Sequence, residues 1–108
     1  MERVKKILDV SYIIEKANPP NLVVTATGQV PTTGWGPTQL LRRIYKTPPS
    51  DGVWEYDLLS TPPTGPAGDS LSEVKASDTW EAYDERAVKG VRVYGKEDSF
   101  VENPISNK

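Results

Sequence analysis

Short apolar runs bounded by proline and glycine make up most of the chain. In the clearest run, Trp54, Tyr56 and Leu58 alternate with Glu55 and Asp57. Alternation with a period of two is typical of a strand that buries one face. We therefore expect a strand here, with the aromatic residues and the leucine facing the core and the two carboxylates facing outward.

Five further segments are rich in β-branched and aromatic residues, and each predicts a strand: 4–16, 21–30, 38–47, 70–76 and 90–95. The first of them is ambiguous, because its apolar positions also fit one face of a helix. Its β-branched residues favour a strand, since such side chains lose conformational freedom in a helix.

Three Pro-Pro pairs, at 19–20, 48–49 and 62–63, divide these runs. Each pair lacks two backbone donors, so it must lie outside the interior of a paired strand. Frequent turns between short strands are typical of a sandwich or a barrel. The sequence therefore predicts an all-β fold, an antiparallel β-sandwich of the immunoglobulin-like kind with six or seven strands.

One short helical turn is predicted within this fold. Ser77 or Asp78 can cap a helix, and Glu81 follows Asp78 by the three residues of a capping box. We expect a single domain over residues 1–103 and a frayed tail over 104–108. The residues expected in the core are Val24, Ile44, Trp54, Tyr56, Leu58, Val91 and Val93.

Composition excludes several classes of function. Of the 108 residues, 36% are hydrophobic and 26% are charged, which indicates a folded chain that is too polar for a membrane protein. The absence of cysteine and histidine removes thiol nucleophiles, disulfides, the commonest metal ligands and the commonest general base. The net charge of −2 argues against nucleic-acid binding. No apolar run predicts a membrane span, and Asp9 interrupts the only stretch that resembles a signal peptide, so we expect a cytoplasmic protein.

Glu55 and Asp57 are the one carboxylate pair with a spacing suited to chemistry. Two residues apart on a strand, they point the same way with Cα atoms about 6.5–7 Å apart. Such a pair could serve a glycosidase or hold a hard cation. We favour the simpler explanation, a charged outward strand face, and expect no enzyme activity, no metal and no cofactor.

The segment from Gln29 to Pro37 contains two Thr, two Gly and two Pro around one Trp, and it predicts a defined loop between two strands. Its candidate binding residues are Pro31, Thr32, Thr33, Gly34 and Trp35. Trp35 has two interpretations: it is an exposed aromatic contact, or it folds back and closes one end of the sandwich.

The Pro-Thr-Thr-Gly-Trp sequence at 31–35 resembles the loop with which chagasin-type inhibitors enter the cleft of papain-like cysteine proteases. The resemblance implies an immunoglobulin-like sandwich of about this size and a site made of three loops. Val30 stands where that family has asparagine, no G-x-G-G run follows, and no Arg-Pro-aromatic triplet occurs. By position, the TPPTGPAG segment at 61–68 corresponds to the second loop.

These observations favour a non-enzymatic binding module that uses loops fixed by proline and glycine. Its expected partner is a protein or a glycan. The alternative is a cysteine protease inhibitor that acts through the 31–35 loop.

Overall fold

The computed structural model describes residues 1–96 and 100–105. These residues form β-strands and the loops between them, and they contain no helix. The strands are β1 (Glu2–Arg3), β2 (Lys6–Glu15), β3 (Asn21–Val30), β4 (Thr38–Arg42), β5 (Val53–Ser60), β6 (Ser72–Trp80), β7 (Gly90–Tyr94) and β8 (Phe100–Pro104).

Two sheets pack face to face, which confirms the predicted β-sandwich. In the five-stranded sheet, β5 is central. It pairs with β4 along one edge, and with β7 and then β1 along the other. The outermost strand on that side is β8, which pairs with β7. Strands β5 and β7 run parallel, whereas every other pair is antiparallel. The three-stranded sheet has the order β2-β3-β6.

The ambiguous N-terminal segment is a strand, and its helix-like spacing has a local cause. The register of β2 against β3 shifts between Ile7 and Asp9, so that Leu8 is an extra residue in a bulge. The bulge brings Ile7 and Val10 onto the same buried face although they are three residues apart. A spacing of three is what made the run resemble a helix.

The short helical turn predicted near Ser77 is absent from the described residues, and this prediction is wrong. Ser77 and Asp78 lie inside β6, which pairs with β3 along its whole length. Thr79 and Trp80 favour the extended conformation, and the pairing overrides a weak capping signal. The chain turns later, where the amides of Ala87 and Val88 both donate to the carbonyl of Asp84.

The core lies between the sheets and contains most of the residues predicted for it. Five of those, Val24, Tyr56, Leu58, Val91 and Val93, are fully buried. Trp54 is half-buried and packs against the core from its edge.

Ile44 is 98% exposed, so its predicted burial is wrong. Strand β4 ends at Arg42, and the last backbone bond to β5 runs from the Arg43 amide to the carbonyl of Glu55. The chain has therefore left the sheet before the alternation reaches Ile44.

Part of the predicted tail belongs to the folded domain. Pro104 ends β8, and the buried Ile105 donates its amide to the carbonyl of Lys89 at 3.0 Å. Residues 106–108 lie outside the described residues.

An aromatic cluster joins the sheets at the end where β5 begins. The rings of Tyr45 and Trp54 meet edge to face at 5.1 Å between centroids, and Trp54 meets Trp80 in the same way at 4.8 Å. The Arg42 guanidinium lies 4.4 Å from the Trp80 ring centroid and pairs with Asp78 at 2.7 Å. This cluster links the edge strands β4 and β6, which belong to different sheets.

Val4 joins the sheets where the chain crosses from β1 to β2. Its amide donates to the carbonyl of Leu58 in one sheet, and the next amide, that of Lys5, donates to Gln29 in the other. The Val4 side chain is fully buried against Gly28. A Cβ on Gly28 would lie 2.6 Å from Val4 Cγ2 and 2.8 Å from Leu58 Cδ2, so only glycine allows this contact.

We expect Gly28→Ala to lower the free energy of unfolding by about 1–3 kcal/mol, because the added methyl overpacks the core. Gly65→Ala is the matched control, since no atom lies within 4 Å of a Cβ built there. Urea unfolding followed by tryptophan fluorescence measures both changes. Equal midpoints for the two variants would show that the core tolerates the extra methyl.

Candidate functional site

Two loops lie side by side at one end of the sandwich. Residues 31–37 connect β3 to β4, and residues 61–71 connect β5 to β6. The strands that flank the loops pair with each other, Val30 with Ser72 and Thr38 with Ser60. The topology therefore brings together two segments that are far apart in the sequence.

Reciprocal hydrogen bonds hold the loops together. The Thr33 amide donates to the carbonyl of Gly68 at 3.2 Å, and the Gly68 amide donates to Thr33 Oγ1 at 2.8 Å. A second pair lies closer to the sheet, where Gly36 donates to the carbonyl of Thr61 and Thr61 donates to that of Pro37. The loops consequently form one unit, which we call the loop pair (residues 31–37 and 61–68).

Trp35 closes the end of the sandwich, as the second of its two interpretations predicts. Its ring is half-buried and packs against the core, and its Nε1 donates to Thr32 Oγ1 at 3.0 Å. Gly34 allows the loop to turn back toward the core, because its φ of +83° is a conformation that other residues rarely adopt. Pro63 of the second loop packs against Gly34, at 3.4 Å from a Cβ built on it.

The loop pair therefore divides the predicted binding residues into two groups. Pro31, Thr33 and Gly34 are exposed, whereas Thr32 and Trp35 are half-buried and shape the loop from within. The second loop adds an exposed stretch at 64–68. The sequence signalled this stretch only through its proline and glycine content, because nothing local shows which loop it lies against.

The loop pair carries no charge. Neither 30–41 nor 58–68 contains an Asp, Glu, Lys or Arg, although a quarter of the chain is charged. The exposed side chains are small, and proline limits the freedom of both loops. Such a surface can pack closely against an uncharged partner with little loss of conformational entropy.

Glu55 and Asp57 point outward as predicted, but they are not freely solvated. The Glu55 carboxylate accepts hydrogen bonds from the hydroxyls of Tyr45 and Tyr94 and pairs with Arg92. The side chains of Glu55 and Asp57 are only 23% and 17% exposed.

The partners of Asp57 complete this network on the outer face of the five-stranded sheet. Arg43 donates to both oxygens of Asp57, at 2.9 and 3.1 Å, and Arg3 pairs with it at 3.0 Å. Arg43 also reaches Glu55 at 3.4 Å. The sequence showed the two carboxylates but not their partners, which come from three other segments.

Both carboxylates are held in the charged form. The hydrogen bond from Tyr94 lowers the pKa of Glu55 despite its partial burial. Burial by itself raises the pKa of Asp57, but the bond from Arg43 and the charge of Arg3 lower it overall. The general acid of a glycosidase has a raised pKa, whereas the pKa values of Glu55 and Asp57 are both lowered.

Among the described residues, no three Asp, Glu, His or Cys side chains are grouped as metal ligands. The same residues include no helix with the length and apolar character that crossing a membrane requires.

Comparison with known proteins gives no relative of this chain. No protein-family model matches it. No curated protein and no solved structure matches it either.

Stability should fall in acid because of the Glu55 and Asp57 pairs. Their pKa values are lower in the folded chain than the ordinary 4.5 and 3.8, so the folded state loses this stabilisation as the pH drops below about 4.5. Above that pH the contribution is fully present. We expect Asp57→Asn to flatten the dependence of the urea midpoint on pH between about 5 and 2. Glu73→Gln, an exposed carboxylate elsewhere, is the control, and an unchanged slope in Asp57→Asn would contradict the assignment.

Proposed function

We propose that this protein is a non-enzymatic binding module and that the loop pair is its contact surface. The supporting observation is the reciprocal Thr33–Gly68 hydrogen bonding, which holds the uncharged, largely exposed stretches 31–37 and 61–68 as one unit. Preorganised loops lose little entropy on binding, and loops on a rigid scaffold are a common place for recognition.

A partner protein fits this surface better than a glycan. Sugar sites commonly use an exposed aromatic face, and Trp35 is the only aromatic residue in the loop pair. That ring is half-buried and engaged with Thr32 and the core. The exposed atoms belong to Pro, Thr, Gly and Ala, which suit close packing against an uncharged protein surface.

Charge introduced into the loop pair should weaken binding of the partner. The variants are Pro31→Lys and Thr64→Lys, one in each loop, and the control is Ser50→Lys, in an exposed turn at the other end of the sandwich. A partner captured from the source cell is purified, and its affinity is measured by calorimetry. We expect each loop variant to weaken binding by roughly tenfold or more, since an unpaired charge is desolvated. If all three variants bind with equal affinity, the loop pair is not the contact surface.

A second candidate is inhibition of papain-like cysteine proteases through residues 31–35. The position of the 61–68 loop against 31–37 favours it, because the chagasin-type inhibitors also place their loops together. An immunoglobulin-like relationship and a cytoplasmic location are separate proposals, carried by the strand pattern and by the interrupted apolar run at Asp9. Val30 and the missing Arg-Pro-aromatic triplet leave less contact area. We therefore expect weak inhibition.

Papain activity measured with up to about 100 μM protein tests this candidate, because a micromolar inhibitor, about 4 kcal/mol weaker than a nanomolar one, still acts in that range. We expect inhibition by the wild type and by Ser50→Lys, and loss of inhibition in Pro31→Lys. Full papain activity at the highest concentration would remove the inhibitor candidate and leave the binding module as it stands.

A further inference from the structure

The outer face of the three-stranded sheet carries charges in an ordered pattern. Across the sheet, one row consists of Lys6, Gln29 and Glu73, and the next consists of Asp9, Thr27 and Lys75. Each row therefore has opposite charges on its two edge strands. The order of the signs reverses from one row to the next.

The bulge in β2 creates this pattern. Because Leu8 is the extra residue, Lys6 and Asp9 lie on the same face although they are three residues apart. Both are exposed, as are Glu73 and Lys75 on β6. The two edges are separated by β3, so opposite charges in one row lie about 9–10 Å apart and cannot pair.

These four side chains make no ion pair in the described part of the chain. Between them runs an uncharged strip on β3 that includes Val23, Thr25 and Thr27. Ile13, on the same face, is 66% exposed. An ordered set of unpaired charges around an uncharged strip is a surface that a complementary face can cover.

We propose that two copies of this chain pair face to face through this sheet, about a two-fold axis that passes Thr27 and lies about 15° from the direction of β3. Near Thr27, rotation about this axis places β2 of one copy opposite β6 of the other and preserves the position of each residue along the strands. Asp9 of each copy then faces Lys75 of the other, and Lys6 faces Glu73. The symmetry forms each of these ion pairs twice, and no like charges meet in these two rows.

The uncharged positions also fit this arrangement. Thr27 lies on the axis opposite its own counterpart, and Ser11 faces Ser77 in the next row. Stacked sheets cross at about 30°, so the facing strands move apart sideways with distance from Thr27. Glu15, at the far end of β2, lies about 20 Å from Thr27 along the strands, where this crossing displaces the facing strands by about 10 Å.

The size of the face predicts a weak dimer. Seven residues along each of three strands cover about 300 Å² per copy. Stable complexes bury about 800 Å² per partner, so we expect a dissociation constant of about 0.1–1 mM. Because exposed ion pairs are screened, about 0.5 M salt should weaken the dimer further.

Sedimentation equilibrium of the wild type from about 20 μM to about 2 mM, a range that brackets the expected constant, tests association. We expect the average mass to rise toward twice the monomer value at low salt. Asp9→Lys and Lys75→Asp should each abolish the rise in average mass, because either change makes like charges face each other at two places in the dimer. An equimolar mixture of these two variants should dimerise again, since all the facing charges between the unlike chains are then opposite.

Lys46→Asp, which reverses an exposed charge outside this face, is the control and should associate like the wild type. Circular dichroism confirms that each variant is folded. A wild type that stays monomeric at about 2 mM would overturn the proposal, since the expected constant lies below that concentration. Association that survives both single reversals, or a mixture that stays monomeric, would overturn it as well. None of these outcomes depends on the loop pair.

Discussion

The seating of Val4 between the two sheets is the contact on which the sandwich depends. The chain crosses here from β1 to β2, and consecutive amides bond to different sheets. The buried valine fills the space that Gly28 leaves open beside Leu58. Gly95 permits the same approach from β7, since a Cβ on it would lie 3.2 Å from the carbonyl oxygen of Val4. With the two sheets fixed to consecutive residues, their remaining side chains meet in one core.

The charged network on β5 shows how the charges on the outer face of a sheet can be paired. Glu55 and Asp57 lie at the centre of the five-stranded sheet, and arginines from β1, β7 and the end of β4 converge on them. The ring of Tyr94 lies beneath the Arg43 guanidinium, 4.6 Å from it, while its hydroxyl bonds to Glu55. Every partner of the two carboxylates restrains a neighbouring segment. The network therefore joins strands in addition to lowering two pKa values.

The two surfaces proposed for interactions differ in their physical character. The loop pair is uncharged and restrained by proline and by hydrogen bonds, so its contacts depend on shape and on packing. The outer face of the three-stranded sheet carries ordered charges, so its contacts depend on ionic strength. They lie on different parts of the sandwich, one at an end and the other on a face.

The sequence by itself determined the β class, the strand at β5 with its buried Tyr56 and Leu58, and the presence of a restrained loop around Trp35. These features follow from alternation and from the fixed geometry of proline and glycine, which act over a few residues. The tertiary structure decided the rest. Pairing with β3 placed Ser77 inside a strand although its sequence resembles a helix cap. Ile44 is exposed because β4 ends before it. Only the packing of distant segments brought Gly68 to Thr33 and three arginines to Glu55 and Asp57, because such contacts depend on strand order, which no local pattern encodes.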